Sequence, residues 1–278
     1  MAERTRSAGV QTVAALRIEG GVAQPVRDGV VEEVPVALLY NGHPHAVMMA
    51  TPTDLADFAL GFALTEGIVA KAAEFRLVDV LHDAAGISLQ AAIPQARFDA
   101  LAMRTRALAG RSGCGLCGIE SLQAAIAPVP AVAAPACFEP ADIARALQAL
   151  HAVQPLNADC GGVHAAAFVD ADGLLVREDV GRHNAFDKLV GALALQPRRE
   201  GFALVTSRAS YEIVHKAAMA GIGLLAAISA PTALAIRIAD EAGLTLVAFA
   251  RGERFTVYTH PWRVPAAQAT GAVSTATG

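Results

Sequence analysis

The chain has 278 residues, of which 54% are hydrophobic and 17% are charged, and its formal net charge is −4. This composition excludes global disorder, and the scattered arginines and lysines argue against a general nucleic-acid binder. No run of about 18 apolar residues is present and the first residues lack the apolar core of a signal peptide, so we expect a cytoplasmic protein without a membrane span.

The first half of the chain predicts a small α+β domain. Residues 1–30 show no sustained periodicity and predict a loosely ordered arm. Asn41-Gly42 is a strong hairpin signal, and capping hydroxyls and a proline at 51–54 precede an apolar helical face that ends near Gly67. The predicted elements are strands at 34–40, 43–49, 75–81 and 87–93, a helix from residue 55, and a segment at 98–108 that suits either helix or strand.

The second half has a different rhythm, in which strands alternate with helices. This pattern predicts right-handed crossovers and a largely parallel sheet in three layers. The predicted elements are helices at 140–153, 183–195, 211–220 and 233–242 and strands at 163–169, 174–178, 202–206, 224–228, 245–250 and 255–258. A proline-rich linker at 128–135 separates a domain over 31–127, which includes a short helix at 119–126, from one over 136–262, and 263–278 predict a flexible tail.

Cys114 and Cys117 form a Cys-x-x-Cys motif with a glycine on both sides of each cysteine. Two thiolates this close can share a metal, form a disulfide, or act in relay as nucleophiles. The glycines predict an open loop that leaves the sulfur atoms accessible. Four cysteines are too few for a disulfide scaffold, which favours a chemical or metal-binding role for this pair.

Three predicted parallel strands end in polar segments, at 207–210, 229–232 and 251–254. Ligands of open α/β sheets collect at such ends, where helix N-termini favour anions. A single end is explained by helix caps such as Ser210 and Thr232 or by solvated arginines, but three ends together predict a site for a phosphate-bearing ligand.

Residues 177–184 are almost all polar or glycine and precede a helix, which suits a site lining and a structural turn equally. His183, Asn184, Asp187 and Lys188 have the spacing of two i,i+4 pairs. His164 lacks the partner motifs of a zinc deaminase, and a Cys₄ zinc site would need a second Cys-x-x-Cys motif. The glycines around the motif and the linker after it also disfavour a thioredoxin-like site, and Cys137 and Cys160 are expected to be small buried residues.

Several motifs occur in the order typical of one family, the FdhD family of formate dehydrogenase accessory sulfurtransferases, which this chain resembles from about residue 30 to Pro261. The motifs are Gly113-Cys114-Gly115-Leu116-Cys117-Gly118, Gly161-Gly162-Val163-His164, the segment from Arg177 to Ala185 with Asp187-Lys188, Ser207-Arg208, and Ser229-Ala230-Pro231-Thr232. The resemblance implies an α/β fold with a cytidine-deaminase-like three-layer C-terminal domain without zinc, a smaller α+β N-terminal domain, and a homodimer.

The resemblance also implies a task, which is the passage of sulfur from a cysteine desulfurase to the bis-molybdopterin guanine dinucleotide molybdenum cofactor of formate dehydrogenase. Cys114 matches the persulfide-bearing residue and Cys117 a supporting thiol. Cofactor binding, with GDP as a mimic, is assigned to Phe249, Ala250, Arg251, Gly252, Glu253, Arg254, Ser207, Arg208, Ser229 and His183. Cys160 departs from the family, which commonly has threonine there.

Two other functions remain open at the level of the sequence. The decorated strand ends alone suit a non-catalytic chaperone that binds a molybdoenzyme cofactor. The four cysteines suit a structural zinc module, although the missing second motif makes it a weaker hypothesis.

Overall fold

Three β-sheets and seven α-helices make up the part of the chain that the computed structural model describes, residues 7–109, 128–197 and 200–266. The strands are β1 (Val10–Glu19), β2 (Val22–Val31), β3 (Val34–Tyr40), β4 (His43–Ala50), β5 (Arg76–Asp83), β6 (Gly86–Ala92), β7 (His164–Asp170), β8 (Gly173–Asp179), β9 (Gly201–Val205), β10 (Leu224–Ala227), β11 (Thr245–Arg251) and β12 (Arg254–Val257). The helices are α1 (Leu55–Thr65), α2 (Gln95–Ala109), α3 (Pro140–Ala152), α4 (Pro155–Cys160), α5 (Arg182–Ala194), α6 (Tyr211–Met219) and α7 (Ala233–Ala242). None of the helices in these ranges is long and apolar enough to cross a membrane.

The first two strands form a separate antiparallel ribbon where the sequence predicts a loosely ordered arm. That prediction is wrong for residues 10–31, because β1 and β2 pair along their whole length around a turn at Gly20-Gly21, both with positive φ. Nearly all side chains of the ribbon are exposed, so no buried face marks the strands in the sequence. Ser7 anchors the start of the ribbon, since its N–H and Oγ each lie 2.7 Å from Asp159 Oδ2.

The N-terminal domain is a four-stranded sheet in the order β4-β3-β6-β5, with α1 packed on it. The predicted hairpin is confirmed, and Asn41 and Gly42 have φ values of 50° and 82°, as a two-residue turn of this kind requires. The Asn41 side chain also bonds both backbone groups of Ile93, donating to its O at 3.1 Å and accepting from its N at 2.9 Å. The ambiguous segment at 98–108 is helical and belongs to α2.

The C-terminal domain is a six-stranded mixed sheet in the order β12-β11-β10-β9-β7-β8. Only the pairings β9–β10 and β10–β11 are parallel, so the sheet is less parallel than the sequence predicts. One face packs on α3 through Ile143, Leu147 and Leu150, and the other packs on α5, α6 and α7. Helices on both faces give the three layers that the alternation of strands and helices predicts.

The connection between the domains runs along the C-terminal domain. Residues 128–139 form no helix or strand, yet Val132 is buried and its N–H donates to Ala242 O at 2.8 Å. The predicted flexible tail from residue 263 begins too early. Arg263 is only 3% exposed and donates to Ala134 O and Gly243 O at 2.8 Å each, which fixes the connection to the end of α7.

The two domains meet where α1 crosses α5. Gly61 and Gly191 lie at this crossing, and a Cβ at Gly61 would stand 1.7 Å from Asp187 O, while a Cβ at Gly191 would stand 1.9 Å from Asp57 O. Only residues without a side chain allow the two backbones to approach so closely. Helix α1 of the N-terminal domain therefore packs directly on α5 of the C-terminal domain.

Candidate functional site

The cysteine motif lies outside the described residues, in the segment 110–127 between α2 and the connection to the C-terminal domain. The placement of Cys114 and Cys117, and the helix predicted at 119–126, therefore remain predictions. Among the described residues, no group of three or more His, Cys, Asp or Glu side chains is placed to hold a metal ion.

All of the predicted cofactor-binding residues lie on one side of the six-stranded sheet, at or just beyond the carboxyl ends of β8, β9, β10 and β11. We call this side the strand-end edge. Strands β9, β10 and β11 are parallel and adjacent, and their carboxyl ends share this edge. Strand β8 runs in the same direction, because β7 is antiparallel to both β8 and β9, so α5 also begins there. The loops are tied together by a bridge between Ala209 and Pro231 and by Phe249 N–H, which donates to Ser229 O at 3.1 Å.

Phe249 interrupts β11 with a bulge. Its φ is 52°, in the left-handed region that is costly for a large side chain, and its side chain is 44% exposed. Val247 and Ala250 both face α3, although they are three residues apart, because the bulge adds one residue to the strand. The bulge thus keeps an aromatic ring at the surface of the strand-end edge.

A cavity of about 200 Å³ lies beside this bulge, between the strand ends and α3. Ala250, Arg251 and Gly252 form one wall, and Gln148 and His151 of α3 line the other side with Leu147 and Ile228. The sequence did not predict Gln148 and His151 as site residues, because two polar residues on the exposed side of an amphipathic helix are ordinary. Their common face on α3 was the one signal that could have found them.

Three guanidinium groups surround the edge. Arg208 follows β9, and Arg251 and Arg254 face each other across the turn between β11 and β12. All three residues are exposed, and none forms an ion pair with a carboxylate among the described residues. Glu253 is exposed in the same turn. The edge therefore carries positive charge available to an anion.

His183 lies at the start of α5, close to the start of α6. Its Nε2 is 3.9 Å from Glu212 Oε2. Burial, followed by the nearby Arg182 guanidinium, lowers the pKa of His183 below its ordinary value. The pKa of His164, at the start of β7, is lowered by the same two causes. Arg182 thus lies close enough to both histidines to disfavour their charged forms.

The segment 177–184 has a structural role, and its role as a site lining stays a prediction. Arg177 binds Asp57 of α1, with Nη2 2.7 Å from Oδ2. Glu178 accepts from the N–H groups of Leu156 and Asn157 at the start of α4, at 2.9 and 3.0 Å. Arg177 and Glu178 therefore join structural elements, while Arg182 and His183 begin α5 at the strand-end edge.

The two predicted i,i+4 pairs of α5 are replaced by pairs with distant residues. Lys188 binds Asp179 at 2.7 Å instead of Asn184, and Asp187 binds Lys216 of α6 at 2.9 Å instead of His183. The prediction that hydroxyls at 51–54 cap α1 is wrong, because no side chain caps this helix and Thr51 Oγ1 instead accepts from Val180 N–H at 3.1 Å. The helix faces the interior at these positions, so partners from other elements replace local ones.

Lys216 extends this network to the end of α1. Its ammonium donates to Asp187, to Thr65 Oγ1 at 3.0 Å and to Glu66 Oε1 at 2.9 Å. Burial lowers the pKa of Lys216, but the carboxylates of Asp187 and Glu66 outweigh it and raise the pKa above its ordinary value. The lysine therefore remains charged and binds the two domains together.

The remaining two cysteines differ from expectation. Cys137 is exposed, with Sγ 3.6 Å from Trp262 O, so the prediction of a buried residue is wrong for it. Cys160 is partly buried at the end of α4 and its Sγ lies 3.0 Å from Leu156 O. The thiol at position 160 is thus engaged with the backbone of its own helix.

The fold and the strand-end edge define a two-domain α/β protein with three exposed arginines where its parallel strands end and with a glycine-flanked Cys-x-x-Cys segment in its sequence. The chain belongs to the FdhD/NarQ family, whose model matches residues 31–265. This confirms the resemblance that the order of the motifs predicts.

Individual relatives agree with this assignment. The chain is 56% identical over 259 residues, 92% of each chain, to a protein of Xanthomonas campestris named sulfur carrier protein FdhD. It is 50% identical over 257 residues, 90% of this chain and 92% of the other, to a protein of the same name from Bordetella petrii. A crystal structure from Desulfotalea psychrophila, described as a formate dehydrogenase accessory protein, matches with a TM-score of 0.72 and 27% identity over 92% of this chain and 99% of that one.

Proposed function

We propose that this protein is a sulfur carrier and sulfurtransferase. Cys114 takes sulfur from a cysteine desulfurase and passes it to the bis-molybdopterin guanine dinucleotide molybdenum cofactor before formate dehydrogenase receives that cofactor. The observation that carries the proposal is the 56% identity, across nearly the whole chain, to a protein named as a sulfur carrier. The glycine-flanked cysteine pair supplies the thiol groups that such a carrier needs.

The first step requires only a thiolate. The Cys114 thiolate attacks the terminal sulfur of the donor's persulfide, the donor's S–S bond breaks, and the donor cysteine leaves as a thiolate. The step is an exchange, without net oxidation or reduction. Arg111 lies three residues before Cys114, and a nearby positive charge favours the thiolate. Cys117 supports Cys114 as a second thiol.

The strand-end edge supports the second half of the proposal. A guanine dinucleotide carries phosphates, for which Arg208, Arg251 and Arg254 offer charge, and it carries bases, for which Phe249 offers an exposed ring. The cofactor enters here as the client of the reaction. We further propose that the protein acts in the cytoplasm, as the sequence predicts, and that it forms a homodimer, as its resemblance to the family implies.

Maturation of formate dehydrogenase tests the proposal in cells that lack their own copy of the gene. The proposal expects wild-type protein to restore formate oxidation, and Cys114→Ala to restore none while accumulating to the same level. Cys137→Ala, which removes an exposed cysteine among the described residues, is the matched control and should restore activity fully.

The alternative function is a cofactor-binding chaperone without sulfur chemistry, which the strand-end edge alone would support. Full activity of Cys114→Ala would establish that alternative. A structural zinc module is tested separately by elemental analysis of the purified protein, in which stoichiometric zinc would support that module and contradict the proposed carrier.

A further inference from the structure

Three enclosed polar atoms lack hydrogen-bond partners where α5 and α6 begin. They are Arg182 Nε, His183 Nε2 and Ser210 Oγ, and Tyr40 OH is the one other such side-chain atom among the described residues. Enclosed polar groups are normally hydrogen-bonded, so three orphans in one place require an explanation. Ser210 is 8% exposed and is the N-cap of α6, yet its hydroxyl makes no capping bond.

Two helix N-termini point at the same place. Helix α5 has 13 residues and α6 has nine, and no N-cap side chain bonds either helix, since the N-cap of α5 is Gly181 and Ser210 makes no capping bond. Unpaired N–H groups and the helix dipole favour negative charge at such positions. The orphaned side chains are a guanidinium, an imidazole and a hydroxyl, all of which donate hydrogen bonds to anions.

A carboxylate of the protein itself already lies beside these three atoms. The Glu212 carboxylate stands 3.9 Å from His183 Nε2, although its side chain is 53% exposed and free to turn towards solvent. Partial burial raises the pKa of Glu212, but the donors and positive charges around its carboxylate outweigh burial and lower the pKa below its ordinary value. The surroundings therefore favour a negative charge.

We propose that Arg182, His183 and Ser210 form an exchangeable anion site, which Glu212 covers in the unloaded protein and which takes a phosphate of the guanine dinucleotide client when Glu212 turns away. Displacement of Glu212 leaves the Arg182 charge uncompensated and opens the donors that it encloses. The inference rests on the proposed function for the identity of the ligand. It extends the binding edge from the strand ends to the starts of α5 and α6.

Glu212 competes with a bound anion for the site, and this competition makes the site testable. Calorimetry with GDP on the full chain at low salt should show that Glu212→Gln binds GDP several-fold more tightly than wild type, because the competing charge is gone. Arg182→Ala should weaken GDP binding by about tenfold or more, since a hydrogen bond to a charged group contributes at least that factor. Inorganic pyrophosphate should compete with GDP in wild type and lose most of that effect in Arg182→Ala.

Matched controls come from an exposed ion pair on α7. Arg237→Ala and Glu241→Gln change the same charges at side chains that are 61% and 59% exposed, and both should leave GDP affinity unchanged. Glu212→Gln is conservative and half-exposed, so it keeps the test valid even if Arg182→Ala folds poorly.

Unchanged GDP affinity in Glu212→Gln would overturn the inference, as would wild-type protein that binds neither GDP nor pyrophosphate. Sulfur loading of Cys114 is measured separately in the same variants. Persulfide formation with no response of GDP affinity contradicts this site and leaves the sulfur carrier standing. The predicted GDP responses without persulfide support the site and contradict the carrier.

Discussion

Lys188 Nζ lies 2.7 Å from Asp179 Oδ2, and both side chains are fully buried. The lysine also donates to Thr51 O at 3.0 Å, and Thr51 N–H donates to Asp179 Oδ2 at 3.0 Å. Because Thr51 lies between β4 and α1, the pair in the C-terminal domain holds the N-terminal domain in place. The strand-end edge and the start of the N-terminal domain's helix are therefore fixed relative to one another.

Lys188→Met should destabilise the protein by about 3–5 kcal/mol, because it leaves the Asp179 carboxylate buried without its cation. Urea unfolding measures the loss. Lys71→Met removes an exposed lysine and should change the free energy of unfolding by less than about 0.5 kcal/mol. A loss in Lys188→Met no larger than that of Lys71→Met would show that the pair does not hold the domains together.

Gly61→Ala should destabilise the protein by about 2 kcal/mol or more. Alanine favours the helix by about 1 kcal/mol, but the added Cβ would stand 1.7 Å from Asp187 O and force α1 away from α5. Gly162→Ala is the control, since its nearest neighbour would be 3.8 Å away. Thermal unfolding of both variants compares them, and equal stability would contradict the close crossing.

Phe249→Gly should separate stability from binding. Glycine relieves the strain of the positive φ, which offsets the lost packing, so the free energy of unfolding should change by less than about 1 kcal/mol. GDP affinity should fall by about fivefold or more, because stacking on a base contributes about 1–3 kcal/mol. Phe249→Tyr keeps the ring and should bind GDP as wild type does. Unchanged affinity in the glycine variant would remove Phe249 from the site.

Glu66→Gln should reduce stability at neutral pH and have no effect in acid. Burial raises the pKa of Glu66, but Lys216 and then His215 and Arg104 lower it below 4.5, so its contribution is present above that pH and is lost as pH falls through the folded pKa. Since the side chain is 41% exposed, the difference at pH 7 should stay below about 1 kcal/mol. Unfolding curves of both proteins at pH 7 and in acid measure this difference in the free energy of unfolding. A difference that grows towards acid would have the wrong sign.

Local signals predicted much of the fold. The structure confirms the turn at Asn41-Gly42, the end of α1 just before Gly67, and the helices and strands of the C-terminal domain, all of which depend on residues close in sequence. The ribbon of β1 and β2 was missed because neither of its faces is buried, although Gly20-Gly21 is itself a hairpin signal.

Pairs between side chains of different elements are the part of the site that could not be predicted from the sequence. The sequence predicted that the three strand ends lie together, since the carboxyl ends of parallel strands lie on the same side of a sheet. It also predicted His183 as a cofactor-binding residue. It could not show that Asp179 pairs with Lys188 and Asp187 with Lys216, because the choice between local and distant partners depends on which face of α5 is buried. The orphaned atoms of Arg182 and Ser210 likewise become visible only when α5 and α6 are side by side.

Mass spectrometry of the Cys114 peptide tests the central proposal most directly. The purified protein is incubated with a cysteine desulfurase and cysteine, digested without reductant, and compared with Cys114→Ala and with a sample lacking cysteine. We predict one added sulfur atom on Cys114 that depends on the desulfurase and on cysteine. A chain that acquires no sulfur on Cys114 under these conditions, while the desulfurase itself carries a persulfide, would contradict the proposed function.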